Sequence, residues 1–197
     1  MVAVSPSIGV ADFKQLVAWI KANPSKASYG VPSSGTIPHF TGWQLEQVLK
    51  LSMTRVPYRG SAPIVTDLIG GHLPFGITTL ADAITQHRAG KVRIVAVSSA
   101  ARSPFANDVP TLKENGVDLV ADGWYGMWLP AGSSPEFARK LSTAAAEVLA
   151  KPEVKEKLNA VTLIPVGSTP EELTKALAAD TAFWQPIVKA TGYKITN

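Results

Sequence analysis

Over its first hundred residues the sequence switches back and forth between two hydrophobic periods, and that switching restricts the chain to one kind of architecture. Helix-spaced stretches at 13–22, 38–50, 61–69 and 80–88 alternate with short strand-like stretches at 27–31, 53–58, 73–77 and 92–98. The helical stretches carry their own punctuation. Asp12 with Gln15 three residues on is a capping-box signature, and Phe13, Leu16, Val17 and Ile20 follow at helical spacing until Asn23-Pro24 stops the run. Gly70-Gly71 and Gly90 end two of the others. The run VRIVAVS at 92–98 is apolar nearly throughout, as a strand covered on both faces requires. Strict alternation of this kind predicts a parallel sheet flanked by helices, joined by right-handed crossovers.

The character changes near 116–132, which is rich in Gly and aromatics. Ser133 with Glu136 reads as a capping box opening a helix to about 150, and 152–160 reads as another helix. A strand is predicted at 161–166. Thr169 and Glu172, with Pro170 at the first helical position, open a last helix that should bend at Pro186 and end before Gly192. A domain boundary falls at about residue 120. Two strands rarely suffice for an independent sheet, so the C-terminal part is expected to expose an apolar face and an unpaired edge. If the 197 residues are the whole product, a homodimer is expected.

Several function classes fall away on composition. With 46% hydrophobic and 17% charged residues the chain is a folded globule rather than a disordered tail. No apolar run approaches the roughly 18 residues of a membrane span. MVAVSPSIGV has no basic-then-apolar pattern, so no signal peptide is visible in the chain as given. Cysteine is absent, and His39, His72 and His87 have no shared metal-ligand spacing, so neither metal nor cofactor is expected. Residues 1–120 hold eleven Lys/Arg against seven Asp/Glu, and 121–197 hold eight against eight. The positive excess would favour small anions over the first part, with solvated surface lysines as the more ordinary reading, and its scatter argues against a nucleic-acid partner.

Chemical promise concentrates where strands run into helices. GVPSSGTIPH at 30–39 sits at the C-terminal end of a predicted parallel strand, where helix N-termini present unpaired N–H groups. Ser33, Ser34, Gly35 and Thr36 are small enough for a carboxylate to approach the backbone, and their hydroxyls add donors. An ordinary N-cap loop is the competing reading. VPYRGSAP at 56–63 repeats the arrangement, with Tyr58 available to stack or donate and Arg59 more plausibly solvated. Thr78 and Thr79 offer two hydroxyls at the next strand end. His39, one turn into a helix, reads as a satisfied core or rim histidine. Trp124, Tyr125 and Trp128 read as packing or hinge residues. A hydrolase using Ser33 or Ser34 lacks the Gly-x-Ser-x-Gly elbow.

In combination, KANPSKASYG, GVPSSGTIPHF, VPYRGSAPIVTDLIGGHL, AGKVRIVAVSSAARSPFANDVPTLKENGV and WYGMWLPAGSSPEFARKL are specific. The sequence resembles the receptors of tripartite tricarboxylate transporters, the Bug-type periplasmic solute-binding proteins. That resemblance implies an α/β, type II periplasmic-binding-protein-like lobe with a parallel-rich sheet flanked by helices, plus a partial second lobe. It places the family's complete second lobe at 6–121. Residues 1–5 and 122–197 then correspond to crossing strands and the C-terminal part of the first lobe.

The implied function is extracytoplasmic capture of a small organic acid, without chemistry, for membrane permease subunits. The resemblance implies ligand roles for Ser33, Ser34, Gly35 and Thr36 and a cleft-facing Tyr58; His39, Thr78, Thr79 and Trp124 complete the candidate ligand contacts. The family's signal peptide and Pro-Gly-Gly carboxylate loop are not in this sequence. Many members carry Asp where this chain has Thr78, which implies a plain carboxylic acid rather than an amino acid. The alternatives are a stand-alone cytoplasmic sensing domain and, behind it, a serine hydrolase.

Overall fold

The computed structural model describes residues 1–194. Its strands are β1 (Val2–Val4), β2 (Ser28–Val31), β3 (Thr54–Pro57), β4 (Phe75–Ile77) and β5 (Arg93–Ala96). Its helices are α1 (Phe13–Ala22), α2 (Ile37–Leu49), α3 (Ser61–Gly70), α4 (Leu80–Arg88), α5 (Pro135–Ala150), α6 (Pro152–Ala160) and α7 (Pro170–Thr191). The chain divides into two compact units, one formed by Met1–Gly123 with residues 191–194, the other by Trp124–Ala190.

The first unit is built on a five-stranded sheet of order β3-β2-β4-β1-β5. β2 runs parallel to β3 and β4, as the alternation predicts. β1 does not: it lies antiparallel between β4 and β5, so the sheet is mixed. Val2, Ala3 and Val4 are all buried, which marks a central strand. Three apolar residues encode no direction, however, and their partners lie some 70 residues on, Val2 opposite Ile77 and Val4 opposite Phe75. Residues 1–5, assigned from resemblance to a crossing segment, thus contribute a strand to this unit's own sheet.

The helices bury the stripes their sequence spacing sets. α1 turns Phe13, Leu16 and Ile20 inward, and α3 turns Ile64, Val65 and Leu68 inward. The Asp12 carboxylate accepts the Gln15 amide at 2.8 Å, and the Gln15 side chain accepts the Ala11 amide at 2.9 Å. Asp12 thereby fixes where α1 begins.

In the second unit α5, α6 and α7 bury no residue, and Val166 is 83% exposed. The strand predicted at 161–166 does not form. Among the described residues this unit has no other strand to pair with it, and an unpaired strand has no ladder to hold it. The cap of α5 is Ser134 rather than Ser133: its hydroxyl accepts the Phe137 amide at 3.1 Å. With Pro135 at the first helical position the capping residue must immediately precede it. Thr169 and Glu172 form their reciprocal capping box as predicted.

Candidate ligand-binding site

Because β3, β2 and β4 are parallel neighbours, the three connections leaving them emerge along one edge of the sheet. Residues 32–36 lead into α2, 58–60 into α3 and 78–79 into α4. The connections are stitched together. The Tyr58 amide donates to the Val31 carbonyl at 2.8 Å, the Gly60 amide to the Pro32 carbonyl at 2.9 Å, and the Thr78 hydroxyl to Ser61 Oγ at 2.6 Å.

At this edge the helix starts are left open. Thr36, Gly60 and Thr79 occupy the capping positions of α2, α3 and α4, and none supplies a side-chain acceptor to the first-turn amides. By contrast α1, α5 and α7 are capped by Asp12, Ser134 and Thr169. α6, which follows α5 directly, is the other uncapped start. Open first turns carry partial positive charge and unsatisfied donors, which an anion can satisfy.

The 32–36 connection is not packed away: Ser33 is exposed, and Ser34, Gly35 and Thr36 are half-buried. Its shape is held from within. Thr36 Oγ1 donates to the Ser33 carbonyl at 2.9 Å, and Ser33 Oγ to the Ser34 carbonyl at 3.3 Å. Gly35 has φ +77°, a left-handed conformation natural to glycine. Its amide, which the sequence offers to a ligand, donates instead to His39 Nδ1 at 3.0 Å. His39 stands at the third position of α2 and folds back one turn to reach it. The amides of Ile37 and His39 have no partner among the described residues, and Pro38 between them has no N–H.

His39 is buried, stacked on Phe40 at 4.8 Å and meeting the edge of Tyr193 at 5.7 Å. Burial, with the Arg55 charge as a lesser cause, holds its pKa down to about 4. Since Nδ1 accepts a hydrogen bond, the neutral ring carries its proton on Nε2. An unfolded imidazole takes up a proton near pH 6.5, whereas the folded one resists until about pH 4. Between those values the unfolded chain binds more protons, so stability is complete above the upper value and falls as pH drops through the window. The interval between the two values corresponds to about 3 kcal/mol by about pH 4, which partial solvent screening reduces to an expected loss of about 2 kcal/mol. Urea midpoints for the parent and His39→Asn, which keeps an acceptor near Nδ1 but cannot titrate, should diverge on acidification. Equal acid sensitivity in both would refute this.

The other expected contacts fall out unevenly. The Tyr58 hydroxyl donates to Asp67 Oδ2 at 2.7 Å, and its ring packs over Gly30. Burial first, then the Asp67 carboxylate, pushes the phenol up to about 12. Thr78 is buried, with its hydroxyl on Ser61 and 3.4 Å from Asp82 Oδ2, while the exposed Thr79 hydroxyl donates to the same Asp82 oxygen. The turn that lacks Asp at 78 therefore still holds a carboxylate, four residues later. The Thr79-x-x-Asp82 spacing is a capping signature visible in the sequence. Asp82 already offsets the dipole of α4, which leaves α2 and α3 as the stronger anion-facing starts. Trp124 belongs to the second unit, where its indole N–H donates to Asp180 Oδ2 at 2.5 Å. Tyr193, 158 residues from Gly35, gave no sequence signal. With Nδ1 of His39 on Gly35 and Ser33 Oγ on a carbonyl, the loop assembles no nucleophile–base pair among the described residues.

Residues 1–193 match the tripartite tricarboxylate transporter family receptor, TctC. The chain belongs to that family. It is 30% identical over 184 residues to a UPF0065 protein of Agrobacterium vitis, covering 91% of this chain and 53% of the relative. It is 27% identical over 196 residues to BugT of Bordetella pertussis, covering 99% and 60%. The R. palustris protein Rpa4515, solved with adipate, superposes with a TM-score of 0.87 at 28% identity, covering 98% of this chain and 64% of that one. The periplasmic binding protein BugD superposes with a TM-score of 0.84 at 27% identity, covering 97% and 65%. The chain thus spans between about half and two thirds of these relatives. The family is one of solute-binding receptors rather than enzymes, and the fold is that of Bug-type periplasmic binding proteins.

Proposed function

We propose that this TctC-family chain carries one half of a periplasmic receptor site that captures a small carboxylic acid for the permease subunits of a tripartite tricarboxylate-type transporter. The observation that carries the reading is the contrast in caps: α1, α5 and α7 are closed by their own side chains, while α2, α3 and α4 are left open along one sheet edge. An acid group resting on the first turns of α2 and α3 meets amide hydrogens, the Ser34 hydroxyl and two positive dipole ends. No bond is made or broken. The adipate in Rpa4515 supports a ligand of this class.

Calorimetric titration with adipate, citrate and an aromatic monocarboxylate tests the proposal. One of these classes should bind, and Thr36→Val should weaken that ligand by about tenfold through loss of a hydroxyl that donates within the turn, equivalent to roughly 1.4 kcal/mol. The native product should fractionate with the periplasm. Indifference to every carboxylate would sink the reading.

A further inference from the structure

The chain leaves α7 through Gly192, at φ +67°, and the Tyr193 amide donates back to Thr191 Oγ1 at 3.2 Å. This turn delivers the Tyr193 phenol to the back of the 33–36 loop. The ring stands edge-on to His39 (centroids 5.7 Å apart, 76° between planes) and to Phe40 (5.9 Å, 78°). It also fills the space where Gly35 lacks a side chain: a Cβ there would lie 2.6 Å from Tyr193 Cζ. The three aromatic rings form a cluster whose members each meet the other two, and one of them, His39, holds the Gly35 amide.

We propose that Tyr193 is a positioning residue for the carboxylate loop, keeping the His39 ring on the Gly35 amide so that the loop holds its shape and offers its remaining donors outward. Edge-to-face packing fixes ring orientation as well as burying area, and an imidazole free to rotate would release the Gly35 peptide. The inference rests on the receptor reading for its consequence in binding, but the effect on the loop needs no ligand.

The test compares Tyr193→Ala and Tyr193→Phe with the parent chain. Amide hydrogen exchange at Gly35 should quicken by at least about tenfold in Tyr193→Ala. Exchange at Gly30 and Gly76, inside the sheet, should not change. The His39 titration midpoint should rise as its ring is uncovered. Tyr193→Phe, which keeps the ring edge, should restore both. Gly35 exchange and His39 titration alike in the Ala variant and the parent would overturn the inference, as would quickening spread evenly over the sheet.

In the ligand arm, Tyr193→Ala should weaken whichever carboxylate the parent binds by at least about tenfold. An unchanged dissociation constant would overturn the positioning role and leave the receptor reading standing. A parent chain that binds no carboxylate would remove the receptor reading, and the exchange data alone would then decide what Tyr193 does to the loop.

Discussion

Gly35→Ala should reduce carboxylate binding by at least about a hundredfold, equivalent to roughly 2.7 kcal/mol, while leaving the sheet of the first unit folded. Two separate penalties meet at this residue. The backbone sits at φ +77°, where an L side chain costs about 1–2 kcal/mol. The added methyl would also stand 2.6 Å from Tyr193 Cζ, well inside contact distance, so either the phenol or the peptide must move. If the peptide moves, its N–H leaves His39 Nδ1 and the turn that aims the first amides of α2 is lost. If the phenol moves, the His39 ring loses its edge contact. Gly90→Ala separates the two penalties, since Gly90 has φ +70° but nothing within 4 Å of a new Cβ. That control should lose about 1 kcal/mol of stability and no affinity. Calorimetry and thermal melts on both variants measure this, and unaltered affinity in Gly35→Ala would remove the loop from the site.

Much of the first unit is legible in the sequence because its signals are local. The capping pair Asp12–Gln15, the helical spacing of Phe13, Leu16 and Ile20, and the glycine stops after α3 and α4 each report on a few neighbouring residues. The 33–36 segment is legible as a turn for the same reason, since small residues between a predicted strand and a predicted helix mark a tight connection. What could not be read is what depends on distant partners. Nothing in Val2-Ala3-Val4 says that it pairs antiparallel with residues some 70 positions on. The use of the Gly35 amide by His39 is local, four residues apart, yet it follows from a ring orientation that Phe40 and Tyr193 impose together. The strand expected at 161–166 fails for the complementary reason: its residues favour extended backbone, but among the described residues nothing in its unit pairs with it.

Phe75→Ala should cost about 3–5 kcal/mol, a large share of the roughly 5–15 kcal/mol that holds a domain together. Phe75 is 2% exposed in β4, beside Tyr29 of β2, and the two rings stack at 5.8 Å with 15° between planes. Removing it deletes the transfer energy of an aromatic side chain and leaves a void beside Tyr29. The Tyr29 hydroxyl lies beside Glu46 of α2, whose carboxyl burial pushes above the usual range. On its other side Tyr29 lies against Gly42, also of α2, where an added Cβ would come 2.7 Å from Tyr29 Cζ. Gly42→Ala therefore sets a helix-propensity gain of up to about 1 kcal/mol against overpacking of about 1–3 kcal/mol. With the buried ring held between Phe75 and α2, overpacking should win. In a Phe75→Ala background the ring can shift into the vacated space, so the same Gly42→Ala change should be close to neutral or stabilising. The two losses should then fall short of additive by about 1 kcal/mol in a denaturant double-mutant cycle. Strict additivity would mean that Tyr29 does not transmit packing from the sheet to α2, the helix whose first turn belongs to the proposed site.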